Sequence, residues 1–464
     1  MTTQHPTDPS PGAAPSVAGA VRAAGARTAP GRPALSGIRP GFGAFVREHG
    51  GHGRLVVQPR MGFADAGAMR DGLAATRAAR ARTVGTVTLD SHTRVGWLEA
   101  AASALRDGVP LNGYPIVTHP AAVTGRMLSG IRDEHFPVQV RHGSARPLRI
   151  FRTLAELGLD ASEGGPVSYC LPYGRTPLAD AVAEWAAACE LYAGLREFGL
   201  EPHLESFGGC MLGQLCPPSQ LVAISVLEAL FFARHGVRSV SVSYAQQTSA
   251  AQDREAVAAL RLLCSELLPT DDWHVVVYAY MGVYPRTPHG ARALLGQAAD
   301  LAVRTGAERL IVKTTAESLR IPTIEENVEA LEYAAGAVAG APPPPVPFAA
   351  SVAATDTYRE AAALVDAVLD LHPDLSRALL LAFRKGYLDI PYCLHPDNRG
   401  STRSYIDADG WLRWEDTGAL PIGHLVEPSR SRAVTCAGLL ADLTHVSTRA
   451  DEAALAASRE LPSG

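Results

Sequence analysis

From Arg54 onward, short runs of β-branched and aromatic residues alternate with longer Ala-, Leu- and Glu-rich segments whose apolar positions recur at helical spacing. Nine runs stand out: RLVVQPR, TVGTVTLDS, LNGYPIVT, FPVQVRHG, GPVSYCLP, PHLESFGG, VRSVSVSYAQ, HVVVYAYMG and RLIVKTT. Strand-helix repetition over roughly 260 residues predicts an α/β fold with a parallel sheet, and its extent suits a (β/α)8 TIM-type barrel. Nine runs are one more than that fold uses, so one is peripheral or not a strand. Between them, Leu178 to Leu200 and Ser219 to Gly236 each read as a long outer helix ended by glycine.

The two ends of the chain read differently. Residues 1–35 are Ala, Pro, Gly and Thr without an aromatic residue, too poor in apolar bulk to offset the entropy of ordering, and are expected to form a disordered tail. The barrel is assigned to 36–340. The run APPPPVP, Ala341 to Pro347, cannot continue a helix and marks a junction. Beyond it, 348–464 mixes helical stretches with the turn-rich LHPDNRGSTRSYIDADGWLRWED and is expected to be an appended α+β region packing on the barrel.

Composition narrows the partners. Of the 464 residues, 47% are hydrophobic and 19% charged, and the net charge of -5 offers no basic excess for nucleic acid or an anionic membrane. No apolar run reaches the roughly 20 residues of a membrane span and no signal peptide pattern opens the chain, which suggests a cytoplasmic protein. The seven cysteines are scattered without metal-ligand spacing, so no metal site is expected. Of 42 basic residues only Lys313 and Lys385 are lysines; a lysine kept in so arginine-biased a chain points to chemistry that a guanidinium cannot supply.

In parallel barrels the active site lies at the carboxyl ends of the strands. Arg60, Arg94 and Arg141 each follow an apolar run there. Three guanidinium groups converging on one mouth would recognise a small dicarboxylate or a phosphate. Glu163, read as preceding the strand that holds Tyr169 and Tyr173, adds a carboxylate and two phenols, a set that fits an amino dicarboxylate. Lys313 ends RLIVK with Glu317 four residues on; it could form a Schiff base or donate to a ribose or phosphate.

Taken in order, the segments QPRMG, TLDSHTR, LNGYP, VRHG, EGGPVSYCLPY, LCPPS, MGVYP and IVKTTAESLRIPT resemble those of the large (epsilon) subunit of glutamate mutase, the methylaspartate mutase. The resemblance runs from about Arg54 to Thr323 and continues more weakly beyond. It implies a (β/α)8 barrel that works with adenosylcobalamin and a small cobalamin-binding subunit carrying the cobalt-ligating histidine, two large and two small chains forming a heterotetramer. The implied reaction interconverts L-glutamate and (2S,3S)-3-methylaspartate by radical rearrangement.

Carried over motif by motif, Arg60, Arg94, Arg141 and His142 would grip the substrate carboxylates, Glu163 would meet its ammonium, and Tyr169 and Tyr173 would position the rest. Gly62, Asn112, Pro172, Tyr284, Lys313, Glu317 and Ile321 fall where the family lines the adenosyl and cobalamin side, which makes Lys313 a ribose contact. The family's cobalt-binding Asp-x-His-x-x-Gly motif belongs to the small subunit. Here Asp90 and His92 are followed by glycine one place late, and the chemistry of TLDSHTR falls to Arg94. Two other readings are kept: a Schiff-base barrel lyase using Lys313, and a noncatalytic amino-acid-binding barrel.

Overall fold

The computed structural model describes residues 41–172, 174–208, 215–342, 349–427 and 435–460. The tail assigned to disorder, most of the proline run and Tyr173 lie outside the described residues.

Eight parallel strands form one sheet: β1 Val56–Gln58, β2 Gly85–Thr88, β3 Val138–Arg141, β4 Ala161–Glu163, β5 His203–Glu205, β6 Ser239–Ala245, β7 Trp273–Tyr278 and β8 Arg309–Ile311. From β2 to β8 each pairs with its sequence neighbour, and β1 pairs with β8. The circle closes between β1 and β2 through the Val57–Thr83 bridge, where the Val57 N–H donates to the Arg82 carbonyl at 2.9 Å. This is the expected (β/α)8 barrel. Its strands are almost wholly buried because helices cover the outside and side chains fill the inside.

Two of the nine runs are not strands. LNGYPIVT touches the sheet only at the Leu89–Tyr114 bridge; Pro115 has no N–H for a ladder, and the buried Tyr114 hydroxyl bonds Thr124 instead. GPVSYCLP is a turn, and the strand is the preceding Ala161–Glu163. Gly164, at φ 125°, turns the chain out of the sheet, and Val167, Tyr169 and Leu171 join the core from that turn. Glu163 therefore ends a strand rather than preceding one.

Outside lie the long helices Leu178–Ala193, prolonged by a 3-10 turn that ends at Gly199 (φ 74°), and Pro218–Arg234, closed by Gly236 (φ 91°). After the barrel come helices Asp356–Leu369 and Leu375–Lys385, an antiparallel hairpin of β9 Arg403–Ile406 with β10 Leu412–Asp416, and helix Cys436–Glu460. Buried polar bonds pin these elements to the barrel's helices. Gln252 exchanges two 2.9 Å bonds with the Leu412 backbone, and Glu360 accepts from Ser219 at 2.6 Å and from the Trp414 indole at 3.1 Å. No described helix is long and apolar enough to cross a membrane.

The barrel's lower interior is polar. Arg309, fully buried at the start of β8, pairs with Glu205 and with Gln58, while Gln58 donates to Gln139 at 2.8 Å. Such a charge is tolerable because it is matched by Glu205 and both terminal nitrogens are hydrogen-bonded.

Candidate active site

The residues that follow the strands converge on a cavity of about 210 Å³ lined by Arg60, Arg94, Asn112, Arg141, His142, Glu163, Tyr169 and Phe207. Arg60 stands two residues beyond β1. Arg94 rides on the short helix Ser91–Val95, whose first N–H groups, those of His92 and Thr93, donate to the Asp90 carboxylate at 2.9 Å. The Asp90-x-His92 pair is thus a helix cap, which is why it catches the eye as a ligand motif without being one. The Arg94 stem lies over Gly143, at φ 63°, where a Cβ would stand 2.9 Å from the Arg94 Cδ.

Arg141 and Glu163 are the last residues of β3 and β4, both buried, and the Arg141 Nε donates to Glu163 Oε2 at 2.7 Å. Burial opposes the Arg141 charge, but Glu163 and the phenols of Tyr278 and Tyr169 outweigh it and hold the guanidinium well above its ordinary value. Glu163 also accepts from the Tyr169 hydroxyl at Oε1 and from the Tyr278 hydroxyl at 2.9 Å. With Nε engaged, the terminal nitrogens of Arg141 are the ones it presents to an anion.

Burial pushes the next residue, His142, down to about 3, so it is neutral. Its Nδ1 accepts from the Ser144 N–H at 3.0 Å, which places the proton on Nε2, and its ring stacks on Trp185 at 5.6 Å.

A second cluster adjoins the first through Arg60. Glu317 Oε2 takes Arg60 at 3.1 Å and Lys313 at 3.8 Å, and the Lys313 ammonium sits 4.4 Å over the Tyr284 ring. Burial lowers Lys313 to about 8 against the pull of Glu317. Gly62 allows a close backbone approach, since a Cβ there would stand 2.2 Å from the Thr88 carbonyl oxygen. Asn112 accepts from the Ser91 N–H at 2.9 Å, Pro172 is half-buried in the turn that carries Tyr169, and Ile321 is exposed. Of the predicted groups, the structure gathers the three arginines, His142, Glu163 and Tyr169 round one cavity with Asn112, and sets Tyr284, Lys313 and Glu317 beside it.

Glu228 escaped the sequence reading. It projects from helix Pro218–Arg234 and accepts from the N–H groups of Val167 (3.0 Å) and Ser168 (2.8 Å) and from the Ser168 hydroxyl (2.8 Å), holding the turn that carries Tyr169. Gly165 makes room: a Cβ there would fall 2.0 Å from the Glu228 carboxyl carbon. The signal was a lone acid inside the apolar run SQLVAISVLEALFF.

Burial outweighs these three donors and raises Glu228 to about 7. Because the folded-state value is raised, the contribution is fully present below the unfolded value near 4.5 and is lost as pH climbs through about 7, with a span of about 3 kcal/mol. Glu228→Gln, neutral at every pH, will therefore gain stability relative to the parent between pH 5 and pH 8. Urea unfolding of both proteins at those two pH values measures it, and an unchanged difference would refute the assignment.

Arginines and an acid gathered at the carboxyl ends of barrel strands stand where barrel enzymes place their active sites. Residues 40–438 match the model of the methylaspartate mutase E chain (MutE), and the chain belongs to that family, making it an isomerase of the mutase class. It is 30% identical over 354 residues to the glutamate mutase epsilon subunit of Escherichia coli O157:H7, a match that covers 72% of each chain. To the epsilon subunit of Halobacterium salinarum it is 31% identical over 350 residues, 72% of this chain and 71% of that one. The corresponding protein of Desulfitobacterium hafniense is 30% identical over 358 residues, 73% and 72% of the two chains. These relatives are named as subunits of a larger enzyme.

Proposed function

We propose that this chain is the cytoplasmic large subunit of an adenosylcobalamin-dependent mutase that interconverts L-glutamate and (2S,3S)-3-methylaspartate. The observation that carries this reading is the single cavity in which Arg60, Arg94 and Arg141 face Glu163 and Tyr169. Two substrate carboxylates engage the guanidinium groups and the ammonium engages Glu163, so the carbon skeleton is held at both ends. Neutral His142 adds an Nε2–H donor without adding charge. Tyr173 belongs to the same proposal by its motif.

The mouth also suits a bulky cofactor held by a partner. Val95 and Trp97 (after β2), Val283 (after β7), and Leu319 and Ile321 (after β8) are large apolar side chains exposed on strand-end loops, and Leu394 lies beside the β4 loop, where Arg175 donates to its carbonyl. An apolar rim of this kind marks a face to be covered. In this reading Gly62, Asn112, Pro172, Tyr284, Lys313, Glu317 and Ile321 would hold the adenosyl and cobalamin side, and a small cobalamin-binding subunit would supply the cobalt-ligating histidine within a heterotetramer built on a dimer of large chains. Adenosylcobalamin, when bound, supplies the radical that starts the rearrangement; the barrel's task is to orient the substrate and exclude water.

The test mixes the chain with a small cobalamin-binding subunit, adenosylcobalamin and L-glutamate, with 3-methylaspartate followed by chiral chromatography. Product that vanishes when the small subunit or the cofactor is omitted is the expected result; no product with a competent partner would sink the reading.

A second reading draws on the lowered, buried amine of Lys313, which suits a Schiff-base nucleophile. That amine lies on Tyr284 and Glu317, and Lys313 is not among the residues lining the arginine cavity. Borohydride reduction in the presence of a small dicarboxylic keto acid, which offers the carbonyl that a lysine imine needs, is therefore expected to trap no adduct by mass spectrometry; an adduct on Lys313 would favour the lyase.

A further inference from the structure

Beneath the cavity a second carboxylate faces Glu163 across a single phenol. Glu163 and Glu205 are register partners on β4 and β5, and the Tyr278 hydroxyl, at the end of β7, lies 2.9 Å from Glu163 Oε2 and in closer contact with Glu205 Oε1. All three side chains are buried. The remaining oxygens are taken. Arg309, Gln139 (3.2 Å) and Ser241 (3.3 Å) donate to Glu205 Oε2, and Tyr169 donates to Glu163 Oε1. A phenol has one proton to give. With both carboxyl groups ionised it can donate to one of them only, and its lone pair then faces the other. One additional proton satisfies both contacts, so the arrangement is built to accept one.

We propose that Glu205, acting through Tyr278, is the store for a proton that Glu163 takes from the substrate ammonium. The proposal rests on the amino-acid mutase reading and deepens it. An ammonium N–H bond breaks as an O–H bond forms on Glu163. That proton passes to the Tyr278 oxygen while the phenol's own proton moves to Glu205 Oε1. The amine and Glu205 end neutral, Glu163 is again an anion, and Tyr278 is unchanged; product release runs the sequence backwards.

Burial, with Glu163 and Glu205 adding to it, holds the Tyr278 phenol well above its ordinary value, so it does not persist as a phenolate and gives up its proton only as it takes another. Other charged groups at the relay are accounted for. Arg141 faces Glu163 and Arg309 faces Glu205, one cation for each acid. His274, 3.5 Å from Arg309, is kept neutral by burial and by its cationic neighbours and brings no second proton. Phe207 packs edge-on to Tyr278 at 5.0 Å, above Glu205. Glu205 meets no substrate atom; it is a positioning residue that acts through Glu163.

The experiment uses the assembled holoenzyme and infrared difference spectra taken on adding L-glutamate. In the parent protein a neutral carboxylic acid band is expected to appear on binding. Glu205→Gln should abolish it. Tyr278→Phe, which removes one hydroxyl and no charge, should abolish it too, with kcat down by about 10-fold or more and KM for L-glutamate little changed. Glu205→Asp should restore part of the band and of kcat.

If the band is missing from the parent, or persists in Glu205→Gln, no proton is stored there and the proposal falls; unchanged kcat in a folded Tyr278→Phe protein overturns it as well. Turnover of the parent to 3-methylaspartate reads the mutase assignment separately. A parent that turns over without the band leaves that assignment standing and removes only the relay, whereas a parent that binds no L-glutamate removes both.

Discussion

Glu163→Gln will lower kcat/KM for L-glutamate by about 10²- to 10⁴-fold in the assembled enzyme, the range expected when a positioned acid-base group is lost. Glutamine keeps the size of the side chain and one oxygen for Tyr169 or Tyr278, but it gives up the negative charge that answers Arg141 at 2.7 Å and that, in the proposed function, meets the substrate ammonium. Its NH₂ group must stand either where Arg141 and Tyr278 donate to Oε2 or where Tyr169 donates to Oε1, so at least one present acceptor is lost. If the charge acts on the bound ammonium, as proposed, the loss should fall on kcat as well as on KM, and steady-state kinetics across pH will separate the two. A variant within threefold of the parent would show that Glu163 serves Arg141 alone.

Arg141→Met will be felt first in stability. The pair it breaks is almost wholly screened from water, with side-chain exposures of 5% and 2% for Arg141 and Glu163. Removing one member of such a pair leaves an unmatched buried charge, at a cost of about 3–5 kcal/mol. The guanidinium also lies 5.3 Å over the Tyr278 ring and 5.8 Å over that of Phe207, contacts that a thioether replaces poorly. Guanidinium chloride unfolding should show the loss, and Arg141→Met combined with Glu163→Gln should recover a good part of it, because the orphaned charge is then gone. A double variant no more stable than Arg141→Met would mean that the ion pair is not the source. Neither variant should turn over L-glutamate at more than a small fraction of the parent rate.

The barrel was legible where strands are long and apolar. Ser239–Ala245 announces itself through alternating valines and Trp273–Tyr278 through three in succession, and the arginines that follow strands were found by asking only what stands at strand ends. β4 was not legible. Its three residues, Ala161, Ser162 and Glu163, are too few and too polar to form an apolar run, so the neighbouring Val167–Leu171 turn took its place in the reading.

The same cause hid the lower half of the site. Glu205 in PHLESF, Tyr278 in HVVVYAY and Arg309 in RLIVK look like ordinary strand residues, and only the closing of the barrel brings them to one point. Glu228 was masked by the opposite habit, in which a helix that is apolar all round is read as packing alone. Local pattern reports which face of an element is buried. It does not report which buried polar atoms find each other across more than a hundred residues.

The scarcity of lysine has a practical side. Lys385 is exposed, while Lys313 is only 6% accessible beneath Tyr284 and Glu317, so an amine-reactive label on the folded protein meets one open side chain besides the α-amino group. With Lys385 replaced by arginine, Lys313 is the one lysine left to acylate. With a pKa of about 8, roughly a tenth of that amine is unprotonated at neutral pH, far more than in an ordinary lysine, so access will limit its reaction more than basicity does. The rate at which acylating reagents of increasing bulk reach it then becomes a gauge of how wide the mouth of the barrel opens, and how often.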